Sequence, residues 1–114
     1  TDSFIGIGPY IITKDKVPDP YNLMVYNRLS GHLRERSYTQ AMINGIEQTI
    51  SFFSNRFELL PGMIFHMGTM GIDGYTVEED MKLNDEDYFE IEYENIGKLI
   101  VNINDKRKIS NETT

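Results

Sequence analysis

The chain has 114 residues, a net charge of −7 at pH 7 and no cysteine. That length makes one domain, the negative charge disfavours nucleic-acid phosphates as a partner, and the missing cysteines exclude a disulfide framework and thiolate chemistry. A hydrophobic fraction of 39% is enough for a core, and no apolar run reaches the ~20 residues of a membrane-spanning helix. An intracellular, cytoplasmic location fits these features. The start Thr1-Asp2-Ser3-Phe4 is not a signal peptide and lacks an initiator methionine, compatible with a processed or truncated start.

In chain order, Phe4-Ile5-Gly6-Ile7-Gly8-Pro9 is apolar and glycine-rich, and residues 10–13 read as a short strand. Gly6-x-Gly8 is not a dinucleotide fingerprint, because the third glycine and the following helix are missing. Residues 14–20 form a connection in which Pro18 and Pro20 cannot continue a ladder. Residues 23–29 read as a strand, Ser30-Gly31 as a hairpin turn, and 32–36 as the return. His32, just past the turn, reads as a solvated loop histidine, since no acid is spaced to orient it. The basic pairs and runs, Arg34/Arg36 and Lys106/Arg107/Lys108, read as solvated surface.

Residues 38–55 carry the clearest helical periodicity. Met42, Ile43, Ile46, Ile50 and Phe53 share one apolar face, Thr39 serves as the N-cap, and Gly45 lies in the interior. The stripe reads as core. Leu60-Pro61-Gly62 is a turn, followed by an apolar run over 63–67 with the length of a strand buried on both faces. The run ends in Gly68-Thr69-Met70-Gly71. A hydroxyl between glycines suits close approach of a ligand; the same pattern suits a strand that merely turns a corner.

Residues 72–82 form a polar loop whose Glu78-Glu79-Asp80 lacks the spacing and glycine of a calcium loop, so it reads as a solvated acidic segment. A second turn spans 83–87. From Phe89 the chain alternates strictly: Phe89, Ile91 and Tyr93 on one face, Glu90, Glu92 and Glu94 on the other. The glutamates read as a wet face rather than as an acid/base pair. Asn95-Ile96-Gly97 closes a hairpin into 98–103, and 104–114 is a polar, frayed tail.

Taken together, these stretches resemble the C-terminal part of the catalytic domain of the fumarylacetoacetate hydrolase family. The matching segments, over residues 2–103, are Asp2-Ser3-Phe4 with Gly8-Pro9-Tyr10-Ile11-Ile12-Thr13, then Thr39-Gln40-Ala41-Met42, then Leu60-Pro61-Gly62-Met63-Ile64-Phe65-His66-Met67-Gly68-Thr69, and finally the 83–91 segment with Ile96-Gly97-Lys98-Leu99. The resemblance implies an α+β, predominantly β fold, a mixed sheet rolled on itself with one main helix, over 1–103. It also implies a Mg2+- or Mn2+-dependent enzyme of 2-oxo or 2,4-dioxo acids that hydrolyses C–C bonds or isomerises through a metal-stabilised enolate. Oxaloacetate decarboxylation and 2-keto-3-deoxy sugar acid dehydration are sister activities, and a homodimer is the common assembly.

Carried over by position, Thr69 and Gly68 would bind the substrate carboxylate, and Asp2 and Ser3 would border the metal pocket without ligating it. The family's metal carboxylates and active-site lysine lie upstream of Asp2 in its pattern, so the resemblance assigns no catalytic residue and no metal ligand to this chain. It implies a segment that keeps the substrate floor and is inactive alone. Met63 and Glu86 depart from the family's aspartate and glycine, and Met70 from its proline. The rival reading is a non-catalytic acidic binding or assembly module that offers the 88–94 strand as a pairing edge.

Overall fold

The computed structural model describes residues 5–68 and 83–104. Asp2, Ser3, Thr69, the Glu78-Glu79-Asp80 loop and the Lys106/Arg107/Lys108 run lie outside the described residues. Four strands form one sheet in the order β2-β1-β3-β4: β1 Met24–Leu29, β2 His32–Tyr38, β3 Tyr88–Tyr93 and β4 Gly97–Asn102. One helix, α1 Ile46–Ser54, and two short 3-10 turns, Lys14–Lys16 and Thr39–Ala41, complete the described chain. The architecture is the predominantly β, one-helix arrangement that the sequence implies. Within the described residues each pair of neighbouring strands is antiparallel.

Both hairpins follow from local chemistry. Ser30 and Gly31 take positive φ (47° and 83°), the left-handed two-residue turn whose twist matches antiparallel strands. Arg34 is the extra residue of a bulge, since Asn27 opposes Glu35 while Arg28 opposes Leu33. The β3–β4 turn places Asn95 at φ 60° and Gly97 at φ 141°, with the Ile96 N–H donating to the Tyr93 carbonyl (3.0 Å). Gly62, at φ 89°, completes the Leu60-Pro61-Gly62 turn, closed by the Met63 N–H on the Leu60 carbonyl (3.2 Å).

Side chains alternate between faces of a strand, and the register sorts them. Val25, Leu29, Ile91, Tyr93, Leu99 and Val101 share one face, while Tyr26, Arg28, Glu90, Glu92, Lys98 and Ile100 share the other. Leu23, Val25 and Leu29 are the buried hydrophobic side chains among the described residues. They lie on or beside β1, which is flanked on both sides.

Several expectations need correction. The 10–13 and 63–67 segments are irregular rather than strands, and Ile64 is 72% exposed. A strand exists only where a second strand takes its N–H and C=O groups, and among the described residues neither segment has one. The helix begins at Ile46, with Gly45 as its N-cap rather than an interior residue. Thr39 does not cap it. Its hydroxyl instead accepts the buried Leu23 N–H (2.9 Å), a demand from across the sheet that outranks local capping. The apolar stripe is not core within the described residues: α1 has no buried residue, and Ile43 is 95% exposed.

The glutamate face is not simply wet. Glu90 is only 14% exposed and lies 2.8 Å from Arg28. Arg34 is half-buried rather than solvated, and its Nε is buried with no hydrogen-bond partner among the described residues. β3 lies inside the sheet between β1 and β4, so it offers no free edge, and the rival reading loses the strand it was built on. His32 is exposed at the start of β2, as expected.

Candidate functional site

A cleft of about 730 Å³ opens on the Val25/Tyr93 face of the sheet. Its floor includes Leu23, Tyr93 and Leu99; one wall is the 5–8 segment and the other the 64–68 segment. The first wall is held by close approach and by a hydrogen bond. A Cβ on Gly6 would lie 2.7 Å from Val101 Cγ2, so only glycine lets this backbone lie so near β4. Four residues on, the Tyr10 hydroxyl donates to the Ile96 carbonyl (2.5 Å) and ties the segment to the β3–β4 turn.

The second wall follows the Leu60-Pro61-Gly62 turn, which redirects the chain so that Ile64, Phe65, His66, Met67 and Gly68 all line the cleft. Phe65 packs against Phe53 of α1, with ring centroids 5.3 Å apart. At the end of this wall the Gly68 N–H donates to His66 Nδ1 (3.1 Å).

The two walls are the direct chain continuations of the residues singled out from the sequence. Ile5 follows Phe4 and the Asp2-Ser3 pair, and Gly68 precedes Thr69. Gly68 itself lines the cleft. The fold therefore brings the flanks of both sequence motifs, more than 50 residues apart, onto one opening.

The lining contains no Asp, Glu, Lys or Arg side chain among the described residues. Its polar side chains are Tyr10, Thr39, His66 and Tyr93. Burial, reinforced by the nearby Glu35 carboxylate, raises the Tyr93 pKa above the ordinary phenol value, so this phenol stays neutral. On the same sheet face the Asn27 amide donates to Glu35 (3.0 Å), while the other Glu35 oxygen is buried with no hydrogen-bond partner among the described residues.

Charge is concentrated on the opposite face. Arg28 Nη1 reaches Glu90 Oε1 at 2.8 Å and Glu92 Oε2 at 2.6 Å. Lys98 Nζ adds contacts at 3.3 and 3.8 Å to the same two carboxylates. Hydrogen bonding to Glu92 is the main cause that raises the Arg28 pKa. For Glu90, burial pushes the pKa up, but the hydrogen bonds from Lys98 and Arg28 outweigh it and the net shift is down. This cluster satisfies itself with internal ion pairs and is an ionic lock across β1, β3 and β4.

Sequence reasoning missed His66. The signal was present: it is the one polar side chain in the otherwise apolar 63–67 run. Among the described residues no three His, Cys, Asp or Glu side chains gather in a way that could hold a metal ion. The described part of the chain therefore does not fit a divalent cation.

The comparisons with known proteins agree on one family. A family model described as the fumarylacetoacetate hydrolase C-terminal domain matches residues 1–104. The mitochondrial oxaloacetate tautomerase FAHD2B of Bos taurus is 34% identical over 99 residues, covering 87% of this chain and 32% of the relative. The crystal structure of maleylpyruvate hydrolase from Sphingobium sp. SYK-6, in complex with manganese(II) and pyruvate, matches with a TM-score of 0.68 and 30% identity, over 83% of this chain and 33% of that one. The structure of 2-keto-3-deoxy-D-arabinonate dehydratase complexed with magnesium and 2,5-dioxopentanoate matches with a TM-score of 0.55 and 29% identity, over 83% and 34%. The chain thus spans about a third of the length of these relatives. With the motif order, the one-helix antiparallel sheet and the family match over residues 1–104 in agreement, the chain belongs to the fumarylacetoacetate hydrolase family.

Proposed function

We propose that this chain forms the substrate floor of an enzyme that acts on 2-oxo or 2,4-dioxo acids, by C–C bond hydrolysis or isomerisation. The observation that carries the reading is the shared cleft: the continuations of Asp2-Ser3 and of Thr69 both line one opening. Support comes from the relatives, whose names and ligands (oxaloacetate, maleylpyruvate, pyruvate, 2,5-dioxopentanoate) are all oxo acids or closely related oxo compounds. In this reading the Thr69 hydroxyl and the backbone around Gly68 hold the substrate carboxylate. The apolar side chains Leu23 and Leu99 line the cleft beneath it, and water kept from them strengthens a polar contact made there.

The same reading assigns Mg2+ or Mn2+ to the enzyme, as in two of the solved relatives, with Asp2 and Ser3 bordering the metal pocket. Its ligands are placed in the two thirds of the relatives' length that this chain does not span. No step is assigned to the metal from residues of this chain, and the 114 residues alone are expected to be inactive. Isotope-labelled chain titrated with pyruvate tests the floor. Saturable movement of the Gly68 amide, abolished by Thr69→Ala, is the expected result. A folded chain whose Gly68 amide ignores pyruvate refutes the assignment. Metal-dependent turnover of an oxo acid by the chain alone refutes the division of labour.

A further inference from the structure

The cleft holds a polar group, His66, to which neither the family motif nor the proposed floor gives a role. Of the polar side chains lining it, Tyr10 spends its hydroxyl on the Ile96 carbonyl and Thr39 turns its oxygen to the Leu23 N–H. Both look inward, to the scaffold. His66 differs. Its Nδ1 accepts the Gly68 N–H at 3.1 Å, and an imidazole nitrogen that accepts a hydrogen bond carries no proton. In the neutral ring the proton then sits on Nε2, which becomes a fixed donor. The backbone bond also fixes the ring's orientation, since Gly68 follows His66 by only two positions and both residues line the same cleft.

The surroundings sharpen the role of that donor. The lining is otherwise mostly apolar and, among the described residues, contains no lysine or arginine. An acceptor oxygen that enters therefore meets few competing donors, and the exposed His66 ring is open to it. A ring already held by one hydrogen bond loses little further freedom when it makes a second.

We propose that His66, held as the Nε2–H tautomer by the Gly68 amide, donates a hydrogen bond to an oxo or carboxylate oxygen of the acid bound in the cleft and so helps to select it. The inference rests on the proposed function, because it takes the ligand class from there; the donor geometry stands on its own. Selection follows from the match: an acid that places an oxygen at Nε2–H gains a hydrogen bond to its charged group that an acid without one does not.

The test uses the full chain, labelled with 15N, and pyruvate as the probe. A histidine-selective two-bond proton–nitrogen spectrum reads which ring nitrogen carries the proton; the Nε2–H form is expected. Pyruvate should then move the His66 Nε2–H and Gly68 amide resonances together and saturably. His66→Leu should weaken binding about tenfold, the scale of one hydrogen bond to a charged acceptor. His66→Gln, whose amide can stand in for Nε2–H, should lose no more than about threefold by the same reasoning. The Nδ1–H form in the free chain overturns the inference. So does equal pyruvate affinity in wild type and His66→Leu. In that case movement of the Gly68 amide in both proteins leaves the oxo-acid floor standing without His66. A wild-type chain in which neither resonance responds overturns the floor and the inference together.

Discussion

Gly97→Ala probes how the first wall of the cleft is fastened to the sheet. Gly97 sits at φ 141°, and a Cβ there would fall 2.0 Å from the Tyr10 hydroxyl oxygen and 2.9 Å from its Cζ. Two costs follow. Holding a non-glycine residue in that backbone region costs roughly 1–3 kcal/mol. The clash is relieved more cheaply, because Tyr10 is 56% exposed and its ring can swing outward. Swinging forfeits its hydrogen bond to the Ile96 carbonyl, worth about 0.5–1.5 kcal/mol net. Together they amount to about 1.5–4.5 kcal/mol, a large part of the 5–15 kcal/mol typical of a domain.

Urea titration followed by circular dichroism should show the midpoint falling by about 1–2 M. The two costs separate in a cycle with Tyr10→Ala, which removes both the clash and the bond. In that background Gly97→Ala should cost only the backbone strain, about 1–3 kcal/mol. A Gly97→Ala variant within about 0.5 kcal/mol of wild type would refute the strain argument. An identical cost in both backgrounds would show that Tyr10 does not rest on the turn, and the cleft would lose its first wall.

Thr39→Val keeps the shape of a buried side chain but deprives the Leu23 N–H of its acceptor (2.9 Å). It should destabilise the chain by about 1–3 kcal/mol in the same titration, with Thr39→Ser recovering most of the loss; a neutral valine variant would contradict the accounting. Asp87 accepts the Asn84 N–H (2.7 Å) and the Ser30 hydroxyl (2.7 Å), in that order the causes that lower its pKa below 3.8. A carboxyl whose folded pKa is depressed contributes stability above its unfolded pKa and loses it as pH falls through the folded value. Acid titration of Asp87→Asn should therefore show a shallower loss of stability below about pH 4 than wild type, and superimposable curves would exclude the linkage. Arg28→Met leaves Glu90 and Glu92 with Lys98 as their remaining cation among the described residues. Burial, which raises the Glu90 pKa, then meets less opposition, so acidification toward the carboxylate range should cost the variant less stability than it costs wild type. Parallel curves would show that the Arg28 lock does not govern these carboxylates.

Short-range physics was legible in the sequence wherever one stretch of chain carried the whole instruction. Ser30-Gly31 and Asn95-Ile96-Gly97 specify turns from their own dihedral preferences, and the period of two in 89–94 sorts Ile91 and Tyr93 from Glu90 and Glu92. The motif order from Asp2-Ser3 to Ile96-Gly97 was enough to indicate the family. Whether a segment pairs, and what a side chain meets, depends on chain far away in sequence. The apolar 63–67 run looked like a buried strand, but a strand needs a neighbour, and this one instead walls a cleft. Thr39 looked like a helix cap, and only the tertiary structure shows its hydroxyl drawn to the Leu23 N–H. The glutamates at 90 and 92 looked solvated until Arg28 and Lys98 arrived from flanking strands to hold them. His66 stood visible as the lone polar residue in its run, but its role as a fixed donor depends on a cleft assembled from the 5–8 segment, the sheet and the 64–68 wall, an arrangement that no local pattern encodes.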